Sequence, residues 1–426
     1  MSKNFSAYFA ATKYLDSLVN LSITGDSKKN RLELKRFAYF LHLLNDPQRG
    51  LKYIHIGGTS GKGSVANMIC NILTEAGYIT GLYTSPHPTT PIEKIKVNDL
   101  LIAPEDFAKL LNQIKPAIDQ AYIKSPYGRP TWFEINTAIA LLYFKKLHCN
   151  YVILEVGLGG KTDATNIIPP AKITIINQVH FDHLKKLGNT LTAIAKQKAG
   201  IIKTKTQFFT PNTNHSTVLK IFRQRCRQVD TNFNLIKPPK KPYKLKLLGE
   251  HQQLNAELAA SACRQLGVAE SKIRAGLKKT AISCRLEIIQ QKPLVILDGG
   301  HNQSKIKSVA TLIKNLTYQK LYLIIALTLE RNGAQVFKYL LPLADQLVIT
   351  RYQASVRKCY PPLLLAKRLN FSGPQAIFLD SNQALANTLR QAGSKDLILI
   401  TGSFYLAGEL RKHWRPELKI LTQRKA

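Results

Sequence analysis

Residues 53–76 read YIHIGGTSGKGSVANMICNILTEA: a short apolar run, a glycine-rich turn and an amphipathic stretch in immediate succession. Tyr53, Ile54 and Ile56 are the apolar run of a buried strand. Gly57, Gly58, Gly61 and Gly63 then remove the side chains that would keep a ligand from the backbone. Val65, Met68, Ile69, Ile72 and Leu73 recur at helical spacing, and Gly77 stands where a helix C-terminus is expected. A helix starting at such a turn directs its free N–H groups and the positive end of its dipole at one point, where Lys62 adds a charge and Ser64 a hydroxyl suited to Mg²⁺. The stretch therefore reads as a nucleotide site. It is not the common G-x-x-x-x-G-K-[ST] pattern, because Gly63 separates Lys62 from Ser64.

The chain around it is long enough, at 426 residues, for two domains, and its 45% hydrophobic content fills their cores. Lys and Arg number 61 against 26 Asp and Glu, a formal net charge of +35. Such a charge invites a nucleic-acid reading. The basic residues are, however, spread along the chain and no nucleic-acid module interrupts the α/β pattern, so a general lysine bias or attraction of anionic small molecules accounts for the charge as well. The six cysteines are far apart and form no C-x-x-C pair, which excludes a zinc site or disulfide framework on spacing. The N-terminal stretch lacks an apolar signal core, and residues 321–329 are too short to span a bilayer. A cytoplasmic protein with no membrane or nucleic-acid partner is expected.

In chain order, residues 4–19 and 31–44 read as helices joined by a polar segment with Gly25 and Asp26. A strand over 79–84 leads to SPHPTTPIEKIKVND, whose prolines and lack of apolar period predict a long ordered loop. Helices are expected from Pro104 to about residue 121 and over 131–147, with Glu134 in the first turn of the second. Strands over 151–157 and 172–178 end in GLGGKTDATN and VHFDHLKKLGNT, and ligands bind at such strand ends in open α/β sheets. A short helix ends near Gly200, a helix and turn follow, and 237–247 reads as a strand-bearing excursion or loop. Strands over 295–298, 320–327, 346–350, 376–380 and 396–401 then alternate with helices. The expected fold is α/β: a P-loop-type nucleotide-binding domain with a mostly parallel sheet (1–284), then a smaller Rossmann-like α/β domain (285–426).

Over nearly its whole length the chain resembles the folylpolyglutamate and dihydrofolate synthases of the Mur ligase superfamily. The resemblance rests on HIGGTSGKGS, YTSPH, FE-x-x-TA at 133–138, LEVGLGG-x-x-DATN at 154–166, DH-x-x-x-LG-x-T at 182–190 and KAGIIK at 198–203. It continues through L-x-G-x-HQ-x-x-NA at 247–256, R-L-E at Arg285, DGGHN at 298–302 and TGSFYLAGELR near the end. It implies that Gly58, Thr59, Ser60, Gly61, Lys62, Gly63 and Ser64 bind ATP, that Asn255 and Arg285 contact adenine and phosphate, and that Asp298 and His301 bring the second domain to the nucleotide. It further implies two Mg²⁺ ions, one on Ser64 and Glu134, the other on His183, Glu134 and a carbamylated Lys198. Lys62, His183 and Lys198 would be catalytic, and Ser85, Pro86, His87 and Ser403 would lie on the substrate side.

The implied reaction joins L-glutamate to folate, or to dihydropteroate, after ATP has converted the acceptor carboxylate to an acyl phosphate, with a monomer as the working unit. A polyglutamate product would be anionic, as ATP is. Ser60, Pro88, Gln197 and Gln303 depart from the family pattern, and ALTLERN at 326–332 stands where the family has G-x-x-x-D-K-D. The last departure bears on the amino-acid site or inter-domain closure. A peptidoglycan-precursor ligase of the same superfamily is the near alternative, although only about fifty residues precede the loop here, too few for the usual extra N-terminal domain. A basic, ATP-regulated nucleic-acid-binding protein is the alternative from another class.

Overall fold

The computed structural model describes residues 5–21, 33–353 and 358–425, so the polar segment with Gly25 and Asp26 lies outside the described residues. The apolar run at Tyr53 becomes β1 (Tyr53–Gly57), buried at every position, and it sits inside a sheet rather than at its edge. That sheet also contains β2 (Thr80–Tyr83), β3 (Ile95–Val97), β4 (Leu100–Leu101), β5 (Tyr151–Glu155), β6 (Ile173–Ile176), β7 (Gln207–Pro211) and β8 (Asn232–Ile236). The order is β4-β3-β2-β5-β1-β6-β7-β8. β1 pairs in parallel with β5 on one side and β6 on the other, Ile54 lying opposite Ile153 and Ile173. The loop after β1 therefore opens where two neighbouring strands also end, the position at which open α/β sheets bind ligands.

Alternation along β1 assigns the two faces. Tyr53 joins an apolar cluster with Phe37, Phe40, Phe107 and Phe144, built under the helices Ser6–Leu21, Glu33–His42, Pro104–Lys124 and Trp132–Lys146. Ile54 and Ile56 join the opposite cluster with Val65, Met68, Ile69 and Leu258, under the helices Lys62–Glu75, His251–Gln265 and Glu270–Lys279. Both faces of the parallel strands are thus covered, which is why they read as continuous apolar runs.

The second sheet comprises β9 (Glu287–Gln291), β10 (Leu294–Leu297), β11 (Leu321–Ile325), β12 (Gln346–Ile349), β13 (Gln375–Ile377) and β14 (Leu397–Thr401). Its order is β13-β12-β11-β14-β10-β9, parallel except for the β9–β10 hairpin. Two apolar clusters cover its faces. The mixed α/β architecture with two mostly parallel sheets matches the expectation. Two local readings differ from it. The 85–99 loop carries a 3₁₀ turn, Pro91–Lys94, and folds back as β3, antiparallel to β2, and β4 then pairs antiparallel with β3. The stretch before residue 237, read as a helix and turn, also carries β7 and β8, whose partly polar residues hide the pattern, while 237–247 contain no strand, the loop of the two readings offered.

The nucleotide helix is held from behind by Gly276, where a Cβ would collide with the backbone of Ile72 and Asn71. Replacing Gly276 with Ala forces the two helices apart and is expected to destabilise the fold by about 1–3 kcal/mol in urea denaturation, with little change in the slope of the transition.

Candidate active site at the β1 strand end

The loop leaves β1 with Gly58 at φ 135° and enters its helix through Gly61 at φ 77°, both in the region that favours glycine. A Cβ on Gly61 would strike the side-chain amide of Asn177 and come within 2.6 Å of Asn255 Oδ1. Asn177 Nδ2 donates to Asn255 Oδ1 at 2.7 Å, and Asn255 Nδ2 donates to Gln252 Oε1 at 2.9 Å. The end of β6 and the helix His251–Gln265 thus meet behind the turn. From the same strand end, the Gln178 carbonyl accepts from the amides of Thr59 (2.7 Å) and Ser60 (3.3 Å). The helix starting at Lys62 has no side-chain cap and no acidic residue in its first turn, so its N-terminal N–H groups and dipole are left for an anion.

One carboxylate stands beside this turn, Glu155 at the end of β5. Its Oε1 lies 3.9 Å from Lys62 Nζ, its Oε2 accepts from the Ser85 amide at 3.1 Å, and both oxygens face Gly63. Burial pushes Glu155 up, with Lys62 opposing. Oε1 is thus engaged by the Lys62 ammonium at ion-pair distance, and a buried carboxylate beside such a turn is a hard oxygen donor of the kind that Mg²⁺ takes as a ligand. Ser64, also buried, starts the helix alongside.

The expectation for Glu134 is corrected. Its carboxylate is taken up by Arg36, with Nε at 3.0 Å from Oε2 and Nη2 at 2.9 Å from Oε1, and by the Thr131 amide at 2.7 Å. It closes a capping box on the helix Trp132–Lys146, a structural use in which both oxygens are already engaged. Glu155 takes its place at the loop, in the motif LEVGLGG.

Asp182 and His183 lie at the end of β6. His183 has a left-handed backbone, and its amide donates to Asp182 Oδ1 at 2.9 Å. Asp182 reaches residues that follow β10 and β11: Arg331 Nη1 is 2.9 Å from Oδ1, and Asn302 Nδ2 is 3.5 Å from Oδ2. Burial alone would raise Asp182, yet His183 and Arg331 hold it well below the usual carboxylate range. Arg331 belongs to the divergent ALTLERN segment, so that departure keeps a cation in contact with the DH motif.

Lys198 is buried under the turn with its Nζ 3.0 Å from the Gly58 carbonyl. Burial, aided by Lys62, pushes it down to about 7. Lys196 is exposed, and Lys203 is committed to the carbonyls of Asn166 and Ile168. Of the three lysines on this segment, only Lys198 faces the loop.

From the second sheet, Asp298 accepts from the amides of Leu286 and Gly300, His301 Nδ1 lies 3.0 Å from the Gly299 carbonyl, and the Arg285 guanidinium sits 4.9 Å over the Phe404 ring. Lys305, which sequence reasoning missed, is 3.5 Å from His301 Nε2, and burial together with Arg285 and Lys62 pushes it down to about 7. Its position in the first turn of the helix Gln303–Lys314, directly after DGGHN, was the available signal. Ser403 is buried and caps the helix Phe404–Arg411 through the Tyr405 amide. On the loop after β2, Ser85 reaches Glu155, the Ser85–Pro86 bond is cis, and His87 packs 6.1 Å from the Trp132 ring.

An uncapped glycine turn beside a buried carboxylate and three lysines, facing residues from a second α/β sheet, is the arrangement of an ATP-dependent ligase. The comparisons agree: the Mur ligase middle domain matches residues 56–263, and the Mur ligase glutamate ligase domain matches 284–404. The dihydrofolate synthase/folylpolyglutamate synthase of Bacillus subtilis is 32% identical, covering 89% of this chain and 94% of that one. The folylpolyglutamate synthase of Lacticaseibacillus casei is 29% identical over 95% of this chain and 98% of its own. The folylpolyglutamate synthase of Mycobacterium tuberculosis, solved with ADP and AMPPCP, superposes with a TM-score of 0.86 at 25% identity, covering 96% of this chain and 99% of that one. The chain belongs to the folylpolyglutamate and dihydrofolate synthase family of Mur ligases.

The two glutamates are expected to separate on mutation. Glu155→Gln lowers ATP-dependent turnover by about 100-fold or more and keeps the fold. Arg36→Ala leaves Glu134 buried without its cation and costs about 3–5 kcal/mol of stability in denaturant titration.

Proposed function

We propose that the protein adds L-glutamate to a folate, making an amide at the expense of ATP, and that dihydropteroate is a second acceptor. The observation that carries this reading is the Glu155–Lys62 pair at an uncapped helix N-terminus, with the loop bearing Ser85 hydrogen-bonded to the same carboxylate. One buried group thereby touches both the phosphate side and the proposed acceptor side. The names of the relatives supply the substrate class.

A carboxylate resists attack by an amine because it is anionic and its oxide is a poor leaving group. Transfer of the ATP γ-phosphoryl to the carboxylate oxygen gives an acyl phosphate and ADP. The glutamate amine then adds to the acyl carbon, phosphate leaves with the C–O bond electrons, and a proton is lost from nitrogen. In this reading the amides of 58–64 and Lys62 hold the phosphates, and Ser64 with Glu155 holds Mg²⁺. The metal neutralises charge on the transferring group when bound. Asn255 and Arg285 are assigned to adenine and phosphate, and Asp298 and His301 to the second sheet's approach. Ser403 is assigned to the substrate side with Ser85, Pro86 and His87.

Lys198 is proposed to react with CO₂, forming an N–C bond with loss of a proton, and to present an anionic oxygen to a second Mg²⁺ beside His183. Its burial and its depressed basicity favour the neutral amine that such a reaction needs. We take 1–284 and 285–426 as the two domains, each holding one sheet, and one chain as the working unit, since the site is drawn from a single chain. The cysteines among the described residues are free, which suits the cytoplasm.

Incubation with ATP, glutamate and tetrahydrofolate is expected to release phosphate only when all three are present. Release stimulated by DNA or RNA in place of the co-substrates overturns the reading. Lys62→Ala is expected to abolish ligation while the protein stays folded by far-UV circular dichroism. Lys198→Ala should lose most activity and recover part of it with added short-chain carboxylic acids, whereas exposed Lys196→Ala changes little. The carbamate itself is checked by a ¹³C carbonyl signal from ¹³CO₂ that Lys198→Ala lacks. Equal losses in the two lysine variants, or no such signal, remove the second-metal assignment.

A further inference from the structure

The helix Phe404–Arg411 of the second sheet lies directly on the loop that follows β2. At Gly408 a Cβ would collide with the Pro88 carbonyl, so the helix meets the loop backbone to backbone. Three residues on, and therefore on the same helix face, Arg411 is 1% exposed. Its Nε lies 3.0 and 3.2 Å from the two oxygens of Glu287 on β9. Its Nη1 points to Glu93 Oε1 at 3.6 Å, and neither atom has a hydrogen-bond partner among the described residues. Two buried atoms without hydrogen-bond partners, one on a guanidinium and one on a carboxyl group, thus face each other across the boundary between the sheets.

Glu93 organises its own loop. Its Oε2 accepts from the amides of Thr89 (2.6 Å) and Thr90 (2.7 Å), closing the capping box of the 3₁₀ turn Pro91–Lys94. Lys94 follows immediately. Its ammonium is 2% exposed and lies 4.4, 5.5 and 5.6 Å from the ring centroids of Trp132, Phe133 and Tyr83. It has no hydrogen bond among the described residues. Burial pushes Lys94 down to about 7, with Glu155 opposing; a buried amine held by aromatic faces and without an acceptor regains its full charge when an anion arrives beside it, so it is prepared for one.

We propose that Arg411 is a positioning residue for the substrate loop: through Glu93 it fixes the turn that presents the Lys94 ammonium to a carboxylate-bearing substrate. The inference rests on the reading that this loop serves the folate side. The mechanism does not otherwise use Arg411, Glu93 or Glu287. A purely structural ion pair inside the second sheet would need only Glu287. The guanidinium instead divides itself between β9 and the loop, so the position of the second sheet sets the position of the substrate cation.

The test uses the full chain and the variants Glu93→Gln, Arg411→Met and Arg411→Lys. Glu93→Gln keeps the acceptor for the Thr89 and Thr90 amides and removes only the charge facing Arg411, so it preserves the fold if Arg411→Met does not. Hydrogen exchange is read on peptides covering 84–94, 57–64 and the second sheet, and KM is read for tetrahydrofolate and ATP. In Glu93→Gln and Arg411→Met, exchange of 84–94 is expected to rise about tenfold while 57–64 is unchanged, and KM for tetrahydrofolate is expected to rise about tenfold with KM for ATP within about twofold. Arg411→Lys recovers part of both. Wild-type exchange and KM in Glu93→Gln overturn the proposal, as does faster exchange in Arg411→Met confined to the second sheet. If the wild type does not ligate tetrahydrofolate, the functional reading fails by itself. The exchange arm then decides alone: a loosened 84–94 segment supports the role of Arg411, and an unchanged one overturns it.

Discussion

Gly61 is wedged against two side-chain amides, and the site depends on that wedge. Asn177 ends β6, Asn255 comes from a helix some eighty residues later, and their mutual hydrogen bond leaves no volume for a Cβ between them and the turn. The left-handed backbone of Gly61 is therefore required twice over, by its dihedral angle and by contact. With the turn pinned, the helix from Lys62 starts at a fixed point, and the strand ends of β1, β5 and β6 deliver their residues around it. Lys62, Glu155 and the DH motif thus share a site although they are far apart in sequence.

Charge sets the second constraint. Lys62, Lys198 and Lys305 approach the turn from three elements, and the latter two lose basicity through burial and neighbouring cations. Glu155 and Asp182 are among the carboxylates facing them, with Asp163 acting on Lys198 and Asp298 on Lys305, and Arg331 and Arg285 add further cations beside Asp182 and Asp298. An assembly with this surplus of buried cations is stabilised by a polyanion, and a nucleoside triphosphate with its metal is one of fitting charge. The overall +35 need not serve this purpose, because the local surplus arises from a few buried groups whatever the surface carries.

Much of the fold was legible because buried parallel strands announce themselves as apolar runs between glycines, as β1, β5 and β6 do. β7 and β8 were not, since Gln207, Asn232 and Asn234 break the run toward the sheet edge. β3 and β4 were hidden by Pro86, Pro88 and Pro91, which describe the first half of a loop whose second half pairs with β2. The site shows the same division. The glycine turn and the DH motif could be placed at strand ends from residue type and spacing, whereas Lys198 was singled out only through the resemblance. Glu134 draws attention in the sequence because a carboxylate opening an apolar helix looks anomalous until its partner is known, and Arg36 lies 98 residues away. The better signal was in the sequence all along: Glu155 is a charge at the carboxyl end of a fully buried strand, and burial there demands a cation.

The divergent segment at 326–332 brings these threads together. Its change from the family's acid–lysine–acid to Glu330-Arg331-Asn332 keeps the central cation and exchanges an ammonium for a guanidinium. A guanidinium fixes its donors in a plane, so the Arg331–Asp182 contact restricts orientation as well as distance. Asn302, from the loop after β10, meets the same carboxylate. Two loops of the second sheet therefore grip one residue of the first, next to His183. An acyl phosphate survives only where water is kept out, and a grip at this point closes the sheets over the turn in which it forms. The departure thus falls on the strength and geometry of closure, while the phosphate-binding turn, built from β1, β6 and the helix His251–Gln265, is untouched by it.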